Sequence, residues 1–221
     1  MMLYGGAFLK LSNVTKIVCE GNSITQEGRG FPINKTANPE PGYPDQLATH
    51  PAITAAGITV DNVAIGGTDT RQAINRAAAN VDPKLSGPGE KILIFWEFTN
   101  SIYAGRGAQG AYNDFAEYCL ARKAAGWQYI IVLSALARNR SGGSSLSTID
   151  LSKNPILNAA NALLYADWQR IATQILDVRQ VPQLDPIQPE YIPDQVHPNA
   201  IAHGHLVNAL VPILQRMPLR R

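Results

Sequence analysis

Apolar runs alternate with amphipathic stretches along the whole chain. The run Lys16 to Glu20 stops at Gly21-Asn22, and a Gly-, Pro- and Asn-rich stretch follows to about Pro41. Tyr43 to His50 then has helical composition, and a second apolar run, about Ile58 to Ile65, ends at Gly66-Gly67. Asp69 to Asn80 reads as a helix with Asp69 placed to cap it. The sequence KILIFWE, Lys91 to Glu97, has the uninterrupted apolar character of a strand covered on both faces. The spacing predicts a helix over about Ala111 to Ala125, closed by Gly126 as a C′ glycine, and a strand over Gln128 to Ser134. A polar loop, Arg138 to Asp150, precedes a long helix from about Ile156 to Leu176. A short strand near Val178 to Leu184 and a last helix, opened by Pro198 and running to about Gln215, complete the pattern. Strand-like runs alternating with helical ones are the signature of βαβ units on a parallel sheet. No internal repeat or linker divides the chain, so residues 1–221 read as one domain with its core at about 14–216.

Composition narrows the class of protein. Apolar residues make up 45% and charged residues 16%, a balance that suits a packed globular domain and not a disordered chain. The formal charge of +2, with no dense Lys/Arg stripe, argues against a nucleic-acid partner. No apolar run reaches the roughly 20 residues needed to span a bilayer. Residues 1–16 show no basic segment followed by a long apolar stretch, so the reading expects a soluble protein with no visible signal peptide. Its compartment is left open, and the sequons at Asn13, Asn34 and Asn139 carry little weight without a secretory signal. Cys19 and Cys119 read as two buried free thiols, a single disulfide being the alternative.

Ligands of open parallel sheets bind beyond the carboxyl ends of the strands, so the polar residues just after each strand carry the candidate chemistry. These are Gly21-Asn22-Ser23-Ile24-Thr25, Asn62 to Thr68, Glu97 to Ser101 and Asp194-Gln195-Val196-His197-Pro198-Asn199. Together they supply a hydroxyl, a tight glycine backbone, a carboxamide, an imidazole and a carboxylate, which is the inventory for acyl transfer. Each also has a plain reading. Ser23 can be a loop residue, Gly67 a turn glycine, Asn100 a cap, and Asp194 and His197 a surface acid and a capping residue.

At these residues the chain resembles the SGNH (GDSL-type) hydrolase superfamily. Gly21-Asn22-Ser23 is similar to the first block, usually Gly-Asp-Ser. Gly67, Asn100 and Asp194-x-x-His197-Pro198 resemble the second, third and fifth blocks, in the family's order. The resemblance covers about Val14 to Leu214. It implies a three-layer α/β/α sandwich with a central, mostly parallel sheet of about five strands, flavodoxin-like in arrangement. It also implies a serine esterase with Ser23 as nucleophile, His197 as base and Asp194 as orienting carboxylate. The backbone N–H groups of Ser23 and Gly67 and the side chain of Asn100 would then hold the oxyanion. Two departures stand out: Asn22 replaces the usual aspartate, and Phe98 and Ser101 replace the glycine and aspartate of Gly-x-Asn-Asp. Phe98 is expected to line and narrow the acyl pocket, favouring acetyl over long-chain esters, the plain alternative being a core residue beneath the site.

Other signals are set aside on physical grounds. Gly105 to Gly110 matches G-x-G-x-x-G, but it neither follows its strand directly nor has an acid after the next one. It reads instead as a flexible loop at the site's rim. Arg138 and Arg140 give no better case for a nucleotide. His203 and His205 lie two apart on a helix and point to different faces, so neither a metal nor any other cofactor is expected. No G-x-S-x-G elbow occurs. The expected substrate is a small ester, O-acetyl groups on carbohydrate above all, with Phe31, Tyr43, Tyr103 and Tyr191 as aromatics to stack on sugar. A lysophospholipase or arylesterase, and a carbohydrate-binding module without turnover, remain alternatives. The sequence does not decide the oligomeric state.

Overall fold

The computed structural model describes residues 8–26, 40–137, 151–184, 188, 190–194 and 196–218. Five strands form one sheet: β1 (Val14–Gly21), β2 (Thr59–Asn62), β3 (Glu90–Trp96), β4 (Tyr129–Leu133) and β5 (Gln174–Leu176). Their order is β2-β1-β3-β4-β5, and every pairing is parallel. Alternate residues feed two separate cores. Ile17, Cys19, Ile92, Ile94, Trp96, Tyr129 and Ile131 face one side, where α2 (Tyr43–Thr49), α3 (Pro51–Ala55) and α8 (Ala200–Gln215) cover them. Val18, Leu93, Phe95, Ile130 and Val132 face the other, under α4 (Thr70–Asn80), α6 (Gly107–Ala124) and α7 (Asn154–Ile171). Burial on both faces is why the central strands read as continuous apolar runs instead of alternating ones. The three-layer α/β/α architecture and the five-stranded parallel sheet are those expected.

The chain leaves β1 towards β2 on one side and returns across it to β3 on the other. The strand order therefore reverses between β1 and β3, which opens a crevice at their carboxyl ends. Two short helices sit there: α1 (Ser23–Gln26) directly after β1, and α5 (Thr99–Tyr103) directly after β3.

Several elements are as expected. Asp69 caps α4 with a full capping box, its side chain accepting the Gln72 N–H at 2.9 Å while Gln72 reaches back to the Asp69 N–H. Gly126, after α6, has φ 111°, a conformation that glycine adopts without a steric penalty. Cys19 and Cys119 are free and buried.

Other expectations need correction. The fifth strand is not at Val178 to Leu184, which instead forms two 3-10 turns, Val178–Gln180 and Pro182–Leu184. Asp177 accepts the Arg179 N–H at 3.1 Å and closes the first turn, while Pro182 has no N–H for a ladder. The strand lies earlier, because the long helix stops at Ile171. Thr173 then binds β4 through both its N–H (2.7 Å to Ile130 O) and its hydroxyl (3.2 Å from Ile130 N). Helix α6 starts at Gly107, so all but Gly105 and Arg106 of the glycine-rich stretch is helix; Asp114 draws Arg106 against its first turns with paired contacts of 2.7 and 2.8 Å. Pro198 is outside α8, which begins at Ala200 because Asn199 caps it, accepting the Ala202 N–H at 3.0 Å. Regular β2 ends at Asn62, although Val63 and Ile65 still donate to Cys19 O and Gly21 O of β1 at 2.9 and 3.3 Å. The loops expected at 27–39 and 138–150, with Phe31, Asn34, Arg138, Asn139 and Arg140, lie outside the described residues, as does Gln195. Among the described residues no helix is long and apolar enough to cross a membrane.

Candidate active site

Ser23 opens α1 at the carboxyl end of β1. Asn22 precedes it, buried, with its side-chain oxygen accepting the Ile24 N–H at 3.0 Å and its carbonyl accepting those of Thr25 and Gln26 at 3.1 and 2.9 Å. This Asx turn starts the helix and fixes the backbone of Ser23. Asparagine performs the task as an aspartate would, since only an acceptor oxygen is needed.

The Ser23 hydroxyl lies 2.9 Å from Nε2 of His197, and Nδ1 of that ring lies 2.6 Å from Oδ2 of Asp194. The carboxylate accepts the Nδ1 hydrogen, which leaves Nε2 as the acceptor for the serine O–H. Asp194 also takes the backbone N–H groups of Val196 (2.9 Å) and His197 (2.6 Å) on its second oxygen. Partial burial works to raise the Asp194 carboxyl, but the interaction with the His197 ring and these backbone donors outweigh it and hold the group below the ordinary carboxylate value. Asn199 anchors the segment, donating its backbone N–H to Tyr191 O at 2.8 Å and its side-chain N–H to Glu190 O at 2.6 Å. Sequence positions 171 or more apart are thus brought into one hydrogen-bonded chain.

A chain of bonds also draws the second and third segments to Ser23. Ile65 pairs with Gly21, and Gly66 donates to the side-chain oxygen of Gln26, in the same short helix as Ser23. Asn62 donates to Thr25 O at 2.8 Å from the other side of that helix. Gly67 follows with φ 76°. The Asn100 side chain donates one hydrogen to Thr68 O at 3.0 Å, which sets it beside Gly67 and leaves its second amide hydrogen for another acceptor. The backbone N–H groups of Ser23 and Gly67 make no hydrogen bond to any described residue.

Phe98 is elsewhere. It is fully buried and stacks on Phe115 of α6, with ring centroids 4.2 Å apart and planes 10° from parallel. The expected substrate contact is therefore corrected: the benzyl group fills the core beneath α5 because the strand has just ended and its side chain points into the α4–α6–α7 layer. Tyr43, expected as a sugar-stacking aromatic, is likewise buried, against Trp96 (5.9 Å) and His203 (6.1 Å). Tyr191 is half-buried and edge-on to His205. Tyr103, one turn after Asn100, keeps partial exposure.

The structure adds residues that sequence reasoning did not single out. Glu97 is fully buried and accepts from Asn100 N (2.7 Å), Ser101 N (3.2 Å), Ser101 Oγ (2.8 Å) and the Thr70 hydroxyl. Burial pushes its carboxyl up, against the donors of Thr70, Ser101 and Asn100 that favour the charged form. The signal available was an acid ending an otherwise apolar strand, a position where a carboxylate needs partners. Gln26 and Asn62 gave no such signal, because their partners lie on other segments.

The sequence matches no protein-family model and no curated protein. Solved structures do match. A member of the lipolytic protein G-D-S-L family from Veillonella parvula DSM 2008 superposes with a TM-score of 0.65 at 16% identity, over 91% of this chain and 99% of that one. Axe2, an acetylxylan esterase from Geobacillus stearothermophilus, gives 0.65 at 15% over 94% and 97%. LAE5, an alpha/beta hydrolase enzyme from the metagenome of Lake Arreo, gives 0.66 at 18% over 90% and 94%. Nearly full coverage in both directions, with a five-stranded parallel sheet between helical layers, establishes that this chain has the SGNH-type α/β/α fold of the lipolytic G-D-S-L proteins and acetylxylan esterases.

Proposed function

We propose that the protein is a serine ester hydrolase acting on small acyl esters, O-acetyl groups on carbohydrate in particular. The observation that carries this reading is the relay Ser23–His197–Asp194, with contacts of 2.9 and 2.6 Å, in the crevice where the strand order reverses. In this reading Ser23 attacks the ester carbonyl while His197 Nε2 takes its proton, and the resulting imidazolium faces Asp194. The N–H groups of Ser23 and Gly67 and the free amide hydrogen of Asn100 receive the oxyanion. His197 then passes the proton to the leaving alcohol, and water repeats the cycle on the acyl-enzyme. No step requires a metal or an organic cofactor.

The preference for acetyl rests on the fold shared with acetylxylan esterase and on the polar character of the loops, since Phe98 no longer bears on it. Turnover of p-nitrophenyl acetate by the wild type, and its loss in Ser23→Ala, tests the reading. Retention of most of the turnover in a folded Ser23→Ala protein overturns it. Initial rates on acetylated xylo-oligosaccharide against p-nitrophenyl octanoate test the substrate class.

A further inference from the structure

Glu97 stands at a junction. Its Oε1 accepts the N–H groups of Asn100 and Ser101, which are among the first of α5. Its Oε2 accepts the Thr70 hydroxyl, at the first turn of α4, and the Ser101 hydroxyl. Ser101 Oγ in turn accepts the Thr70 N–H at 3.1 Å. One buried side chain therefore ties the start of the helix that carries Asn100 to the start of the helix that follows Gly67. The direct bond from Asn100 to Thr68 O closes the loop. A buried carboxylate with four donors is a satisfied group, and its place between two helix N-termini suits its charge. The same charge lies behind Asn100 and does nothing to help a developing oxyanion, so any catalytic value of Glu97 must come from geometry.

We propose that Glu97 is the positioning residue of the oxyanion site, holding the Asn100 amide and the Gly67 segment at a fixed separation. This rests on the esterase reading above. Ser101 alone is too short to do so, because one hydroxyl cannot bond two backbone N–H groups on α5 and the Thr70 hydroxyl together. Misplacement of a donor by about an ångström is enough to cost on the order of 100-fold in rate.

The test uses the full chain and p-nitrophenyl acetate. In Glu97→Leu, similar in size but without acceptors, kcat falls about 10- to 100-fold while KM stays within about twofold, because the donors act on the transition state. Glu97→Gln recovers kcat to within about threefold of wild type, since the Thr70 and Ser101 hydroxyls can turn to accept from the new amide while its oxygen keeps the two N–H groups. A folded Glu97→Leu protein with wild-type kcat overturns the proposal, as does a Glu97→Gln protein impaired as badly as Glu97→Leu. If Glu97→Leu does not fold, Thr70→Val removes the direct hydroxyl contact between α4 and Glu97, leaving only the Thr70 N–H to Ser101 Oγ. A several-fold fall in kcat at unchanged KM then supports the proposal, and unchanged kcat overturns it. Ser23→Ala is measured alongside. If it keeps its turnover, the esterase reading is what has failed, and the role of Glu97 goes with it.

Discussion

Asp194 holds His197 by both of its oxygens: Oδ2 faces the ring Nδ1 at 2.6 Å, and Oδ1 accepts the backbone N–H of the same residue at 2.6 Å. The first contact fixes the tautomer and the second fixes the loop. In Asp194→Asn the backbone contact can persist, but an amide facing Nδ1 with its NH2 group forces the proton onto Nε2, where it blocks acceptance from Ser23. The expected result is a folded protein with kcat reduced by about 100- to 10,000-fold and a nearly unchanged KM, read by p-nitrophenyl acetate kinetics beside circular dichroism. Because the Asp194 carboxyl lies below its ordinary value in the folded protein, the stability it adds is present above that ordinary value. It is lost as pH falls through the folded one.

Asn22 gives a second expectation. Its side-chain oxygen is an acceptor for Ile24 N–H and makes no use of the amide's donors in that contact. Asn22→Asp should therefore keep the Asx turn and leave kcat/KM within about fivefold of wild type, the change reflecting the added charge beside Ser23. Asn22→Ala loses the acceptor, costs about 1 kcal/mol of stability as capping deletions do, and lowers kcat further than Asn22→Asp. Thermal unfolding and kinetics on the two variants check this; equal damage in both would show that the amide itself matters.

What was legible in the sequence follows the range of the forces involved. The sheet was readable because strands buried on both faces must be apolar throughout, as in KILIFWE. The ends of α4 and α6 were readable because Asp69 and Gly126 act on backbone within a few residues of themselves. Ser23, Asp194 and His197 were singled out through the resemblance of their blocks, and the structure brings the three side chains into contact. The misses involve partners far away in the chain. Thr173 ends α7 by bonding to β4, which no local pattern announces. Phe98 was given to the substrate because a strand-end aromatic has no periodicity to say which way it turns, and Phe115, its stacking partner, is 17 positions on. Glu97 was placed in the polar segment after its strand but given no role of its own, since its hydroxyl partner Thr70 belongs to helix α4.

Phe98 now carries the opposite expectation from the one its position suggests. Stacked on Phe115 and fully buried, it contributes to the core and touches no solvent. Phe98→Ala should cost about 3–5 kcal/mol of stability, the range for large-to-small changes at buried aromatics. The ratio of kcat/KM for acetate over octanoate esters should stay as in the wild type. Urea unfolding and the two-substrate ratio measure these separately. A ratio that moved strongly towards octanoate would return Phe98 to the acyl pocket.

His203 supplies the last expectation, which concerns pH. It is buried in α8, against Tyr43 of α2. Burial first, and repulsion between two protonated imidazoles at His203 and His197 second, lower its pKa from 6.5 to about 3. The folded protein thus keeps this ring neutral where the unfolded chain takes up a proton. Stability from this source is complete above about pH 6.5 and declines as pH falls from there towards 3, by at most about 1.4 kcal/mol per pH unit. Glu20, whose carboxyl burial lifts to about 7 in spite of Arg76, acts with the opposite sign over part of this range. The comparison that isolates the histidine is therefore between wild type and His203→Gln, which share Glu20 and Asp194. Urea unfolding at pH 7.5 and at pH 5 should show the wild type losing more stability on acidification than the variant. Equal losses in the two proteins would mean that His203 does not titrate differently on folding.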